Sequence, residues 1–461
     1  MSHTKVSNQI LKSIQNTVNN NKINILNNVY NKTDLSNVTN NIIKHVGRNL
    51  HLQKNHPINN IREIIEKSID STSSKPFIKY NDLTPVVSIK QNFDDLGFPK
   101  NHPGRSKSDT YYINDTYLLR THTSAHEVEC FQKMQTLQNN GYLISADVYR
   151  RDEIDKSHYP VFYQMEGSKT WARDNSKKFF NKIQTEIDNM KKQLSTFQNL
   201  SIEDVDYTHE PESVNCKQSH MTDEETSILI SHMKRTLELV VANLFMQRYK
   251  NYASTSSKSN KKDEEVIPEI KMRWIEAYFP WTQPSFEIEV FFNGEWLEIC
   301  GCGLVRELAY KNAGFPKETQ MGWAFGIGLD RMAMLLYDIP DIRLLWSTDE
   351  RFLKQFRDKE GIFKFKPFST HAVMSRDVSF WLNTPVHLND FMELVREELG
   401  DMVESCSLVD EFVNPKTGRK SQCFRINYQH LDRNLTNEDV NELHKGVEKK
   451  LIEQFGAEIR N

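Results

Sequence analysis

Nowhere in the chain do about 18 apolar residues follow one another, the length a helix needs to cross a bilayer, so no membrane-spanning helix is expected. Cysteine is scarce. The six residues at 130, 216, 300, 302, 406 and 423 form no CxxC pair. Their spacing suits neither a zinc ligand set nor a disulfide framework, and a reducing compartment follows. Net charge is also small, −3 over 461 residues. No overall field draws in a polyanion, and any RNA contact has to come from local patches. Acidic residues are nearly absent from the first 55 positions, where Asp34 alone stands against Lys5, Lys12, Lys22, Lys32, Lys44, Arg48 and Lys54 among many Asn, Ser and Thr. With no apolar secretion segment, that composition is the pattern of an organellar transit peptide or of an Asn-rich tail.

What is present begins with Gly322-Trp-Ala-Phe-Gly-Ile-Gly-Leu-Asp-Arg331, which runs into the apolar segment 332–337. Gly326 and Gly328 carry no Cβ and let a ligand approach the backbone, and Arg331 sets a permanent cation on the next turn. The third glycine of a dinucleotide fingerprint and the Lys-Ser/Thr of a P-loop are both missing, which excludes those two modes. Alone, the segment reads more readily as a tight turn opening a packed helix. Three others keep it company. Thr121-His-Thr-Ser-Ala-His126 is a row of small hydroxyls and imidazoles, suited to an ammonium group or to a helix cap. Tyr149-Arg150 leaves a strand, and the return strand 160–166 interleaves Gln164 and Glu166 with Phe162 and Met165. Tyr278-Phe-Pro-Trp-Thr-Gln-Pro284 holds aromatic rings between two prolines, which predicts an irregular strand edge and an aromatic pocket.

Around these motifs, a short amphipathic helix is predicted over 61–69 and a longer one after the Thr222/Glu225 capping box, with Ile228, Met233, Leu237, Val241 and Leu244 on one stripe. Residues 252–265 read as a polar loop. Phe286, Ile288, Val290 and Phe292 alternate with Glu287 and Glu289, and Asn293-Gly294 supplies a type I′ turn. The fold class is therefore α+β, an antiparallel sheet flanked by helices. From about residue 367 the order βαββα fits a ferredoxin-like unit. It carries 11 Lys+Arg against 16 Asp+Glu, with Lys416, Arg419, Lys420 and Arg425 as a phosphate-facing patch.

Taken together, these motifs resemble those of a class II aminoacyl-tRNA synthetase, and within that class the phenylalanyl-tRNA synthetases of single-chain mitochondrial type. His56-Pro57-Ile58 resembles the first class II motif, Tyr149-Arg150 with its loop the second, and Gly326 to Arg331 the third. The resemblance implies three regions: a leader over 1–55, a class II catalytic domain over 56–366 and a ferredoxin-like anticodon-binding domain over 367–461. It also implies a monomer of the mitochondrial matrix that uses ATP and Mg²⁺ to join L-phenylalanine to tRNA(Phe) through an adenylate.

The same resemblance assigns roles. Arg150 would hold the α-phosphate and the substrate carboxylate, and Arg331 the γ-phosphate. His122, Ser124, Gln164 and Glu166 would bind the α-amino group. Thr123, Ala125, His126, Ser157, His158, Tyr163 and Met165 would line the substrate cleft. Glu298 would contact ATP or its magnesium, and Phe325 would stack on adenine. Phe279 and Trp281 would pack on the substrate ring, with Cys302 and Ala324 setting pocket depth. Trp281 stands where the family usually has phenylalanine. A non-catalytic RNA-binding relative would have lost Arg150, Arg331 or Gln164. All three are present.

Overall fold

The computed structural model describes residues 16–460 apart from 138, 175, 205–206, 208–212, 214, 257–267, 358, 360 and 369–370. Its centre is an eight-stranded sheet in the spatial order Ile78–Tyr80, Gly141–Tyr149, Val161–Ala172, Gln320–Gly328, Glu295–Val305, Thr282–Phe292, Ile270–Ala277, Leu200–Glu203. The six inner strands pair antiparallel. The two outermost, Ile78–Tyr80 and Leu200–Glu203, pair parallel with their neighbours, so the sheet is mixed rather than antiparallel throughout. Both are short strands reached by long crossovers, a connection that alternation along the chain does not reveal.

One face of this sheet is covered by helices. The Thr222 hydroxyl accepts from the Glu225 N–H and the Glu225 carboxylate accepts from the Thr222 N–H, closing the expected capping box. The helix that follows, Asp223–Ser256, buries Met233, Leu237, Val241 and Leu244 against the sheet. Part of the polar loop expected over 252–265 is this helix's last turn, and the remainder lies outside the described residues. Pro57–Asp70, capped by the His56 ring, buries Ile58, Ile61, Ile65 and Ile69 in the same core. The hairpin forms as expected, with Asn293 and Gly294 both at positive φ between Phe292 and Glu295. Thr282–Phe292 is an inner strand, not an edge. Its irregularity is absorbed as register shifts at Thr282/Ser285 and Ile288/Glu289.

The leader expected through residue 55 extends too far. Thr17–Val18, Lys22–Ile25 and Asn28–Asn31 form a small antiparallel sheet, followed by the short helix Asn40–Ile43. Ile23, Ile25, Ile42, Ile43, Val46 and Leu50 belong to the main apolar cluster. Their burial outweighs the polar composition around them, at roughly 1.5–3 kcal/mol per buried side chain.

The C-terminal unit has its own apolar cluster and a four-stranded sheet ordered Val403–Val413, Lys420–Tyr428, Met374–Leu382, Glu458–Ile459. The last two-residue strand completes the βαββ(αβ) pattern that the sequence left one strand short. The unit grips the loop that follows Arg150. Ile154 is buried in its cluster, the Cys406 N–H donates to the Ile154 carbonyl at 2.9 Å, and Arg151 pairs with Asp390 at 2.8 Å. Of the expected phosphate-facing patch, Arg419, Lys420 and Arg425 are engaged with Glu458, Glu411 and Asp377. The patch is therefore not a row of free cations.

Candidate active site

Successive side chains of a strand point to opposite faces, and this alternation sorts the candidates. On Val161–Ala172, Phe162 and Gln164 are half-buried and Glu166 is buried on the open face. Tyr163 and Met165 point the other way into the main cluster. The Tyr163 hydroxyl accepts from the Leu50 N–H at 3.0 Å and its ring packs on His51 and Trp346. Neither residue borders the substrate cavity, which corrects the expectation for both. On the neighbouring strands, Phe325 pairs with Gly167 and with Cys302. Although both border the cavity, their side chains belong to the main cluster beneath the sheet. Phe325 is thus turned away from the cleft where adenine was expected to stack, and Cys302 sets no pocket depth with its thiol.

The open face holds two joined cavities. The inner one, about 290 Å³, is bordered by His122, Thr123, Ser124, Glu166, Phe279, Trp281 and Ala324. The outer one, about 740 Å³, is bordered by Ser157, His158, Phe162, Asp330 and Arg331. Arg150, Gln164, Glu298 and Gly326 line both. A Cβ on Gly326 would meet nothing within 4 Å, so this backbone lies open to the cavity.

The inner cavity has a polar end and an aromatic end. At the polar end, Thr123–His126 is a 3-10 turn leading into the helix Glu127–Leu137. Its hydroxyls do not cap the helix. Ser124 donates to Glu166, as does Thr123 at 3.2 Å, with the Tyr142 hydroxyl at 3.4 Å. Burial nevertheless dominates and lifts the Glu166 carboxyl to about 7, with those three hydroxyls working against the rise. The His122 imidazole is neutral, lowered to about 3 by burial and then by the Arg150 charge. Neither of its ring nitrogens has a partner among the described residues. Ala125 packs in an apolar cluster under Trp281, and His126 meets Arg120 and Glu129. Both support the turn from behind and neither lines the cavity.

At the aromatic end, the Trp281 indole stacks on His122 at 5.5 Å, on Phe98 at 5.4 Å and on Phe279 at 5.9 Å. The larger ring is thereby accommodated as one plate of a four-ring layer, in which Phe98 also stacks on His122 at 5.5 Å. The Phe279 ring lies 2.6 Å from where a Cβ on Gly301 would stand. Gly301→Ala should therefore push Phe279 into the cavity. An overpacking cost of roughly 1.4 kcal/mol would weaken binding of a ligand seated in the inner cavity about tenfold, with binding in the outer cavity unchanged. Ligand titrations of the variant and the parent protein check this.

In the outer cavity the Arg150 Nε donates to the Thr121 carbonyl at 2.7 Å and its guanidinium lies over Phe162 at 5.3 Å. No carboxylate among the described residues pairs with it. Arg331 is exposed, likewise without a partner among the described residues. Beside it, Asp330 is buried and accepts the Tyr163 N–H at 2.6 Å, locking the turn to the strand. Phe162, missed by sequence reasoning, is the aromatic side chain on the cleft face of this strand, and its alternation with Gln164 was the available signal. Glu287 was also missed. It pairs with Gly301, one strand from Glu298, while Glu289 pairs with Glu298 itself. Burial and then the Glu298 and Glu289 charges raise the Glu287 carboxyl. Glu289 is ion-paired with Arg273, while Glu287 and Glu298 have no cationic partner among the described residues, and hard carboxylate oxygens of that kind fit a divalent metal ion.

The open face of this mixed sheet presents two arginines without a carboxylate partner among the described residues, a polar end and a pair of carboxylates, and the sequence that builds it matches the family model "tRNA synthetases class II core domain (F)" over residues 39–200 and 264–356. The chain belongs to the class II aminoacyl-tRNA synthetases, which use ATP and a divalent metal ion. Residues 369–460 match the ferredoxin-fold anticodon binding domain. Full-length similarity narrows the class. The chain is 51% identical to the mitochondrial phenylalanine–tRNA ligase of Saccharomyces cerevisiae, covering 94% of each chain. It is 38% identical to that of Mus musculus, over 95% of this chain and 88% of the relative. To that of Dictyostelium discoideum it is 36% identical, over 92% and 89%. It is a member of the mitochondrial phenylalanine–tRNA ligase family.

Proposed function

We infer that the inner cavity selects L-phenylalanine and that the outer one holds ATP, with Arg150 at their junction. The chain is a mitochondrial phenylalanine–tRNA ligase; its substrates are phenylalanine, ATP and tRNA(Phe). The observation that carries the division of the site is the sharing of Arg150, Gln164 and Glu298 by both cavities. A carboxylate seated at that boundary faces the α-phosphorus of ATP, with Arg150 in reach of both.

Adenylate formation needs no protein nucleophile. The amino-acid carboxylate attacks, pyrophosphate leaves, and positioning plus charge neutralisation do the work. Glu166, with the hydroxyls of Ser124 and Thr123, orients the ammonium group, assisted by Gln164 and by neutral His122. Phe279 and Trp281 flank the phenyl ring. The adenine packs on Phe162 rather than on Phe325, and Arg331 meets the terminal phosphate. Glu298 and Glu287 would hold Mg²⁺, which supplies further neutralisation of phosphate charge. The activated carbonyl then passes to the terminal ribose of tRNA(Phe), anchored through the C-terminal unit. The enzyme acts in the mitochondrial matrix as a monomer, and any import leader is confined to residues ahead of the N-terminal sheet.

The test is ATP–pyrophosphate exchange by the purified single chain with phenylalanine, tyrosine and tryptophan. Exchange with phenylalanine and without a partner chain is expected, and its absence would overturn the one-chain reading. Tyrosine should also be activated at a low level, because an apolar pocket rejects an added hydroxyl by only roughly 10²-fold. A misacylation assay showing no Tyr-tRNA(Phe) would contradict that.

A further inference from the structure

Among the described residues the Arg150 side chain makes a single hydrogen bond, from its Nε to the Thr121 carbonyl at 2.7 Å. The rest of its fork is left for ligands. A long side chain held at one polar point, and against one ring at Phe162, is only as well aimed as that point is fixed.

One buried amide from a segment 29 residues earlier in the chain does the fixing. Asn92 is fully buried. Its Oδ1 accepts the Thr121 N–H at 3.1 Å, and its Nδ2 donates to the Thr121 hydroxyl at 2.9 Å. Two bonds from one planar group set both position and orientation, where one alone would leave a swivel. Turned over, the amide would set N–H against N–H, so its sense is defined as well. On the other side, the Arg120 N–H donates to the Pro85 carbonyl and the Arg120 carbonyl accepts the Tyr149 N–H, both at 2.9 Å. Those bonds hold the chain up to the peptide before Thr121. The carbonyl that Arg150 uses belongs to the peptide after it, and the Asn92 clamp on the Thr121 N–H and side chain relates the two.

Asn92 is itself held in place. Lys90–Asp94 is a single π-helical turn, closed by the Asp95 N–H to the Lys90 carbonyl at 2.9 Å, a form frequent at functional positions. Phe93 packs in one apolar cluster with Phe98 and Ala125, and the Arg105 guanidinium covers its ring at 4.8 Å while pairing with Asp94 at 2.7 Å. Packing alone would not call for an amide here, because leucine fills a similar volume with no polar atoms to satisfy.

We propose that Asn92 is a positioning residue for adenylate formation: its amide holds Thr121 and, through the Thr121 carbonyl, aims the Arg150 guanidinium at the junction of the two cavities. Asn92 itself lines neither cavity. This rests on the assignment of Arg150 to the substrate carboxylate and the α-phosphate.

A double-mutant cycle on the full-length protein tests it, read by initial rates of ATP–pyrophosphate exchange in both substrates. Asn92→Ala should lower kcat about tenfold, less than the roughly 10²-fold that a misplacement of about 1 Å can cost, because Arg150 keeps its charge and its ring. KM for phenylalanine and for ATP should each stay within about threefold, as for a group acting mainly in the transition state. Thr121→Val keeps the shape and the N–H but removes the hydroxyl that Asn92 bonds, and should lower kcat about fivefold, the equivalent of one neutral hydrogen bond. In an Arg150→Ala background neither change should lower kcat further by more than about twofold, since no guanidinium is left to aim.

Full additivity in that background would mean that Asn92 acts other than through Arg150. A raised KM for phenylalanine with kcat retained would move its influence to the ammonium end, by way of the turn Thr123–His126. Either result overturns the proposal, as does an inert Asn92→Ala beside a crippled Arg150→Ala. Should Asn92→Ala fail to fold, the cycle between Thr121→Val and Arg150→Ala decides by itself. Failure of the underlying assignment shows differently, as an Arg150→Ala variant with the wild-type kcat.

Discussion

Arg150→Ala should lower the maximal rate of phenylalanine-dependent ATP–pyrophosphate exchange by about 10²–10³-fold, the scale of one preorganised charge-stabilising group, while KM for either substrate changes far less. Three features of the site lead to that size. The guanidinium lies at the junction of the two cavities and has no carboxylate partner among the described residues, so its charge is not already spent. Its direction is fixed from behind by the Thr121 carbonyl at 2.7 Å and from the side by the Phe162 ring at 5.3 Å. A preorganised cation of this kind is worth most where charge develops on the phosphorus oxygens, and less in the ground state. Arg150→Lys should recover only part of the loss. An ammonium keeps the charge but cannot serve the carboxylate and a phosphate oxygen with a planar fork while also holding Thr121. Single-turnover adenylate formation would separate the chemical step from release. An unchanged rate for Arg150→Ala in that assay would remove the residue from the chemistry.

How much of this site was legible in the sequence depended on whether a residue's role follows from its own strand or from a neighbouring one. The spacing of Gln164 and Glu166 placed both on one face, and that face is the cavity. The same parity, applied to Tyr163, Met165, Cys302 and Phe325, turns their side chains into the helix-covered core, where all four lie. They were expected in the cleft because the surrounding motif is, and a motif assigns a segment to a site without saying which side chains face it. Glu287 was missed for the complementary reason, since its place beside Glu298 exists only once the strands are in register, whereas Phe162 shares the parity of Gln164 and was legible on its own strand. The stacking of Trp281 on His122 and Phe98 joins segments far apart in the chain, and no local pattern predicts it. At the N-terminus an Asn-rich composition masked a small sheet whose few isoleucines reach the main core.

Glu166→Gln should raise KM for phenylalanine by about 10–100-fold, the range of a hydrogen bond between two charged groups, and leave KM for ATP nearly unchanged. The variant keeps the volume and an acceptor oxygen but removes the negative charge that the ammonium group would meet. Its second signature is in pH. In the wild-type enzyme burial holds the Glu166 carboxyl at about 7, against the pull of three hydroxyls. Protonation destroys the form that binds an ammonium. The sign is therefore definite: kcat/KM for phenylalanine falls as pH drops through about 7. In Glu166→Gln that limb should vanish, leaving a low and flat profile over the same range. His122 cannot produce the limb, because its imidazole is held near 3 and stays neutral across the window. Persistence of the limb in Glu166→Gln would assign the titration to another group and withdraw Glu166 as the ammonium's counter-charge.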